Sequence, residues 1–295
     1  MAVGTQPRQR ALVRMPTMPA RASERLRVKL PIFLVLLAIA ASTVYPLLFL
    51  ALNALKERTD YYASAYGLPR ELYLGNFTVL VENYNIVRAL LNSVFVTGVA
   101  VTATLLIATI ASFALAKVDF LGQRVLFALI VAFLLVPGQV LLIPIYLLFS
   151  RLDLINNYLS VILIYTALAL PFGTFFLTSS FRAIPTELIE AARIDGASLF
   201  HAFRTIVLPI GSPSIMTLAV LSFLTMWNEL LLGMMLLPDE SKRLLTPTIA
   251  LLLGRLLTNQ PLLMAALLIS SVPTILMLIV FSRYLIRGIT LGFGK

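Results

Sequence analysis

Charged residues divide this chain into six long stretches that contain none: Leu30 to Leu55, Ala89 to Ala116, Val125 to Ser150, Leu154 to Phe181, Thr205 to Asn228 and Leu256 to Ser282. Each is longer than the roughly 20 residues a helix needs to cross about 30 Å of hydrocarbon. Lipid offers a backbone no hydrogen-bond partners, so a spanning segment must satisfy its own amides, which a helix does within a single segment. A spanning barrel would require much shorter pieces of alternating polarity, and these runs do not alternate. The expectation is an all-α membrane protein with six transmembrane helices. Composition agrees: 60% of the 295 residues are hydrophobic, 12% are charged and the mean hydropathy is +0.96, more apolar surface than a soluble core of this size buries.

Basic residues give the orientation, because positive flanks are retained on the cytoplasmic side. Seven precede the first run: Arg8, Arg10, Arg14, Arg21, Arg25, Arg27 and Lys29. With that tail inside, Lys117, Arg124, Arg182, Arg193, Arg204, Arg283, Arg287 and Lys295 fall inside too, so 15 of the 23 Lys and Arg share one side. Both termini are expected to be cytoplasmic. The net charge of +10 resides in these flanks, without the aromatic-interleaved patch of a nucleic-acid binder, and suits anionic membrane lipid. The first apolar run is about twice the 7 to 15 residues of a signal-peptide core, and reads as an uncleaved helix. The chain has no Cys, which excludes disulfides, thiolate metal sites and Cys nucleophiles, and no other metal-ligand cluster is read.

The organisation expected is a basic tail over residues 1–29, without apolar periodicity and read as mobile, then a first transmembrane helix over 30–55. An external segment rich in Tyr follows over 56–87, then a five-helix transmembrane domain over 88–287 and a short closing tail over 288–295. Pro137, Gly138 and Pro144 in the third run, and Pro171 and Gly173 in the fourth, predict bends, since proline removes a helix hydrogen bond. The fifth span is expected from about Ser212 to Leu237.

A polar island separates the fourth and fifth runs. Pro185 suits the first turn of a helix and Gly196 the left-handed position past its end, so Thr186 to Asp195 is expected to be a short helix. A second, from about Ser198 to Val207, places Phe200, Phe203 and Val207 on one apolar stripe. Small Ala191 and Ala192 allow close approach by another surface, and Glu190 can accept charge-assisted bonds from a partner's Arg or Lys. An amphipathic helix pair lying on the membrane interface is the alternative for this pattern alone.

The island reads Glu190-Ala-Ala-Arg-Ile-Asp-Gly196 followed by Ile206-Val-Leu-Pro209, or EAA-x3-G-x9-I-x-LP. It resembles the cytoplasmic signature loop of permease subunits of binding-protein-dependent ATP-binding-cassette importers. Pro46 to Lys56, Asn92-Ser93, Ala114 to Arg124, Phe223 to Glu229 and Arg287-Gly-Ile-Thr-Leu-Gly292 are similar to the carbohydrate branch of that family. The chain looks like the second, six-helix permease subunit of maltose-type and glycerol-phosphate importers. That resemblance implies the type I ABC importer permease fold in a bacterial cytoplasmic (inner) membrane. It also implies three kinds of partner: a second permease subunit, two ATPase subunits and an external solute-binding protein. Glu190, Ala191, Ala192, Asp195, Gly196, Ile206, Leu208 and Pro209 would then meet the ATPase in a coupling loop over 182–212. The segment Pro238 to Pro261 resembles the loop that probes the binding protein's cleft, with Thr246 and Leu252 as its contacts. The sequence contains no GxxxxGK[ST] phosphate loop, so the chain is expected to be a transport subunit and not an enzyme. It is expected to bind no cofactor, with ATP and Mg on the partner ATPase subunits.

Trp227, Asn228 and Glu229 form the candidate substrate pathway. Glu229 is the only acidic residue inside an expected span, and an ionisable group at membrane depth marks a pathway or a buried pair. Trp227 could stack on a sugar while Asn228 and Glu229 bond its hydroxyls; an interfacial anchor and inter-helix lock is the equal alternative. His201, the one histidine, is expected at a surface or interface. Two other function classes are kept: an ATPase-independent secondary carrier, which would need acidic or histidine relays in several spans, and a non-transporting membrane scaffold.

Overall fold

The computed structural model describes residues 20–255 and 258–293, with side chains over 31–254 and 258–284. Arg8, Arg10 and Arg14 of the basic tail and the last two residues lie outside it. The chain divides into residues 1–49 and 50–295. The first unit is helical from Ala20, so helix α1 (Ala20–Ala54) begins ahead of the charge-free run and within the part read as a tail. Its side chains from Pro31 to Leu48 are all exposed, as suits a helix whose solvent is lipid.

In the second unit, α2 (Arg58–Ala63) and α3 (Gly75–Asn83) fold the segment expected to be external. Lys56 organises it: its fully buried ammonium donates to the carbonyls of Ser64 (2.7 Å), Ala65 (3.3 Å) and Gly67 (2.7 Å). Buried Asn76 donates to the Ala54 and Lys56 carbonyls, which caps the end of α1.

The long helices are α4 (Ile86–Lys117), α7 (Tyr158–Arg182), α10 (Leu208–Trp227) and α13 (Gln260–Phe293). Among the described residues five helices are long and apolar enough to span, and a bent pair makes a sixth when taken as one span. In the third run, α5 (Gln123–Phe133) and the segment Gly138–Arg151, which contains α6 (Leu142–Arg151), diverge by 88°. Pro137 is the cause. A residue before proline is driven out of helical geometry, and the amides of Leu134, Leu135 and Val136 bond three residues back, each at 3.1 Å, in a tightening end. Pro137 then turns extended, with ψ 125°. The fourth run tolerates Pro171 within α7 without a break.

Helices α4 and α7 share the closest seam. Val96, Ala100, Thr104, Ala108 and Ser112 recur every fourth residue, so they line one ridge of α4, and every one has zero exposure. A Cβ on Gly173 of α7 would lie 3.3 Å from the Ala108 Cβ, so the backbones approach as close as these small residues allow. Ser112 donates to the Thr174 carbonyl (3.0 Å) across the seam. Helix α10 is pinned to α7 by Ser180–Ser214 (2.7 Å), and to α13 by Thr217 on the Tyr284 carbonyl (2.9 Å) and the Trp227 indole on the Ser270 carbonyl (3.2 Å).

The fifth span ends at Trp227, not near Leu237. The Asn228 side chain and amide both return to the Leu224 carbonyl, and the Glu229 carboxylate takes the amides of Leu232 and Gly233, which starts a separate helix α11 (Leu231–Leu236). A further short helix, α12 (Leu245–Arg255), precedes α13.

Candidate coupling hairpin and the opposite end of the bundle

The polar island folds as a hairpin of α8 (Glu187–Ile194) and α9 (Leu199–Ala202). Asp195 caps α8, and Gly196 follows at φ +86°. The Gly196 amide bonds the Arg193 carbonyl (3.0 Å) and the Ala197 amide the Ala192 carbonyl (2.9 Å), the paired bonds of a Schellman end. Ser198 restarts the chain as an N-cap, its hydroxyl accepting from the His201 amide (3.2 Å). The second arm differs from expectation: after α9 a five-residue π turn, Phe203–Val207, runs directly into α10. The Leu208 amide reaches back five residues to the Phe203 carbonyl. Proline at 209 has no amide for the Thr205 carbonyl, and a wide turn accommodates that gap.

One side of the hairpin is part of the bundle core. Ile189, Ala202, Phe203 and Val207 pack with Phe113 of α4 and Phe181 at the end of α7, the Phe113 and Phe203 rings lying 4.8 Å apart. Two of the three predicted stripe residues are therefore buried, while Phe200 is 70% exposed. Lys117, the last residue of α4, donates to the Ile184 carbonyl and to the Thr186 hydroxyl (3.3 Å), holding the shoulder where α8 begins.

The other side is open. Glu190, Ala191, Asp195, Gly196 and Pro209 are exposed, and Ala192, Ile206 and Leu208 half-buried. Ile194, two residues before Gly196, is 87% exposed, and Phe200, four residues after it, is exposed as well. An open groove of ≈ 660 Å³ runs past Ala192, Asp195, Gly196, Ser198, His201 and Thr205. Exposed apolar side chains next to a carboxylate form the kind of patch that an interaction partner covers. Sequence reasoning placed Glu190 and Gly196 but not Ile194 and Lys117. Ile194 entered the sequence reading only as an unassigned position of the motif, and Lys117 acts on a backbone carbonyl, which no pattern of side chains reveals.

At the far end of the same helices, the residues of the candidate pathway separate. Trp227 is buried, stacked on Phe223 at 5.3 Å, with its indole N–H already committed to Ser270. Glu229 is an inter-helix lock, taking the two α11 amides at 3.1 Å and the Tyr165 hydroxyl of α7 at 3.2 Å. Asn228 alone of the three is exposed. Leu252 is buried in the core beneath α12 and Thr246 donates to the Trp227 carbonyl (2.8 Å), while Leu251 and Leu253 of the same helix are exposed. Two residues that sequence analysis left without a role, Asn92 and Ser93, anchor this end. Asn92 donates to the carbonyls of Ser241 (3.1 Å) and Arg243 (3.0 Å) and accepts from Tyr158 (2.8 Å). Ser93 accepts the Leu245 amide (2.7 Å), the first of α12.

Long apolar helices interlocked through small-residue seams, with a polar hairpin between α7 and α10, define the class of a membrane transport subunit. The family model for the binding-protein-dependent transport system inner membrane component matches residues 101–291, and the chain belongs to that family. A probable ABC transporter permease protein of Bacillus subtilis is 33% identical over 90% of this chain and 86% of its own length. The osmoprotective compounds uptake permease protein of Synechocystis is 34% identical over 90% and 92%. The arabinooligosaccharides transport system permease protein of Halalkalibacterium halodurans is 33% identical over 87% and 93%. Among solved structures, one chain of a bacterial ABC transporter involved in import of the acidic polysaccharide alginate has the same fold, at TM-score 0.73 and 23% identity over 92% of this chain and 99% of that one.

Proposed function

We propose that this permease subunit serves an ATP-driven importer of a carbohydrate or related polyol, with the hairpin 187–207 as its coupling element to a separate ATPase. The surface of that hairpin carries the reading: Ile194 and Phe200 exposed beside Glu190, with the opposite side locked into α4, α7 and α10. A force applied there moves three spanning helices together. Relatives named for arabinooligosaccharides, diacetylchitobiose and alpha-glucosides support the substrate class.

In this reading the chain lies in a bacterial cytoplasmic membrane with the hairpin and both termini inside, as the excess of basic residues supports. The partners are a second permease subunit, two ATPase subunits that hold ATP and Mg, and an external solute-binding protein. Asn228 is the pathway candidate with an exposed side chain, its Nδ2 on the Leu224 carbonyl and its Oδ1 left to meet a solute. The binding protein meets α12 through Leu251 and Leu253, with Thr246 and Leu252 holding that helix in place. Alternating access follows when the hairpin binds the closed and open ATPase arrangements with different affinity; equal affinity would transmit nothing.

The test is Glu190→Ala and, separately, Gly196→Asp in the reconstituted importer, with uptake and ATP hydrolysis measured on the same vesicles. Hydrolysis retained while uptake is lost supports the assignment. Stable complexes transporting at the unmodified rate would sink it.

A further inference from the structure

Helix α4 has a fitting at each end, and the two fittings hold different working parts. Near its start, Asn92 grips the carbonyls of Ser241 and Arg243, Ser93 caps the first amide of α12, and Asn85 donates to Glu240 (3.2 Å). Residues 240–245 are thus strapped across the first turns of α4. At its last residue, Lys117 holds the Ile184 carbonyl and Thr186 hydroxyl at the root of α8. Between them run 32 residues of uninterrupted helix without proline, about 48 Å long at ~1.5 Å per residue.

The other spanning helices lack one of these properties. The third run is broken at 88°, α10 stops at Trp227 and meets its hairpin through a π turn, and α7 contains Pro171. Helix α4 is also stiffened along its length, because Val96, Ala100, Thr104, Ala108 and Ser112 are sealed against α7. A helix backed by so close a seam moves as a body rather than bending.

We propose that α4 is the strut that links the strap 240–245 and α12 to the coupling hairpin, with Asn92, Ser93 and Lys117 as positioning residues at its ends. This rests on the assignment of the hairpin to an ATPase made above. Asn92 uses both amide protons and one carbonyl lone pair here, and the isosteric Asp could make neither donation. Lys117 reaches backbone and hydroxyl oxygen, so what it holds is the position of the α8 root. Movement of that root on ATPase closure is then delivered to α12, and a load on α12 is felt at the hairpin, as reciprocity between coupled sites demands.

The experiment uses the complete importer in nanodiscs, trapped with ATP, Mg²⁺ and vanadate, with amide hydrogen exchange followed at 187–196 and at 240–252. Trapping should slow exchange at both segments in the unmodified complex. Lys117→Met and Asn92→Asp should each abolish the response at 240–252, with the response at 187–196 retained in Asn92→Asp; Lys117→Arg should restore it. Ser93→Ala should raise exchange of the Leu245 amide roughly fivefold, as loss of one cap does. If either Lys117→Met or Asn92→Asp keeps the unmodified response at 240–252, the strut is wrong. A wild-type complex that responds at 187–196 and not at 240–252 overturns it as well. No response at 187–196 in the wild type would instead refute the coupling assignment, which separates the two failures.

Discussion

The Tyr165 hydroxyl of α7 donates to Glu229 at 3.2 Å, and the same carboxylate accepts the amides of Leu232 and Gly233. One side chain thereby ends α10, begins α11 and ties both to α7. Glu229→Ala would leave two amides and a hydroxyl without their acceptor, at about 1–3 kcal/mol for each buried group left unsatisfied. Glu229→Gln keeps one good acceptor and should fall between. The expected order of thermal stability in detergent is wild type, then Glu229→Gln, then Glu229→Ala, with Tyr165→Phe losing less than Glu229→Ala. Equal melting of Glu229→Ala and wild type would show that the lock contributes nothing.

Helices α7 and α10 cross where Gly211 faces Phe181. A Cβ at 211 would lie 2.5 Å from the Phe181 ring, and that ring is itself fully buried. Gly211→Ala must therefore displace a packed aromatic, an overpacking change of about 1–3 kcal/mol. Lower melting of the purified subunit is expected, recovered in part by adding Phe181→Leu, which removes the opposing ring edge. Absence of that recovery would place the damage elsewhere.

The turn at Gly196 presents the contrasting case, because a Cβ there meets nothing within 4 Å. Only the backbone objects, at φ +86°. Gly196→Ala should cost about 1–2 kcal/mol, and Gly196→Asn less, since Asn tolerates the left-handed region. The readout is exchange of the Ala197 amide, which bonds the Ala192 carbonyl: about tenfold faster in Gly196→Ala if the end of α8 loosens as argued. Unchanged exchange would mean that the turn absorbs the residue at no cost.

How much of this was legible in the sequence depends on which force set each feature. The runs at Ala89 and Leu154 located α4 and α7 within a few residues, because hydrocarbon thickness writes itself directly into composition. Gly196 was legible because φ > 0 leaves few alternatives. Pro137 announced a bend but not its 88°, since the angle is set by what α5 and α6 pack against afterwards. The α4 ridge carried almost no hydropathy signal: Ala, Thr and Ser seal a seam by being small. Glu229 read correctly as unusual, and its partners did not, because two of them are backbone amides created by the very break it causes. Lys117 was counted only as a charge on the cytoplasmic side. Its actual acceptor, the Ile184 carbonyl, exists only once α7 has ended there.

Pro209 allows two forces to be weighed against each other. The π turn before it could be imposed by the missing proline amide, or by burial of Ala202, Phe203 and Val207 in the base of the hairpin. Pro209→Ala would supply an amide to the Thr205 carbonyl and favour an ordinary α turn, a net gain of about 1 kcal/mol. Closing the wide turn takes one residue out of the helical count and would rotate the hairpin by about 100° about the α10 axis. That rotation would bring Phe203 and Val207, 8% and 0% exposed, out of the core at about 1.5–3 kcal/mol each. Burial outweighs the recovered bond, so Pro209→Ala alone should keep the wide turn and its transport. Val207 alone would still outweigh the recovered bond, so only Phe203→Ala and Val207→Ala together with Pro209→Ala remove the restraint, and that triple variant should lose transport while the complex still assembles. Spin-label distances from α8 to the middle of α10 report the rotation directly. A shift in the Pro209→Ala single variant would make proline, not packing, the cause of the turn.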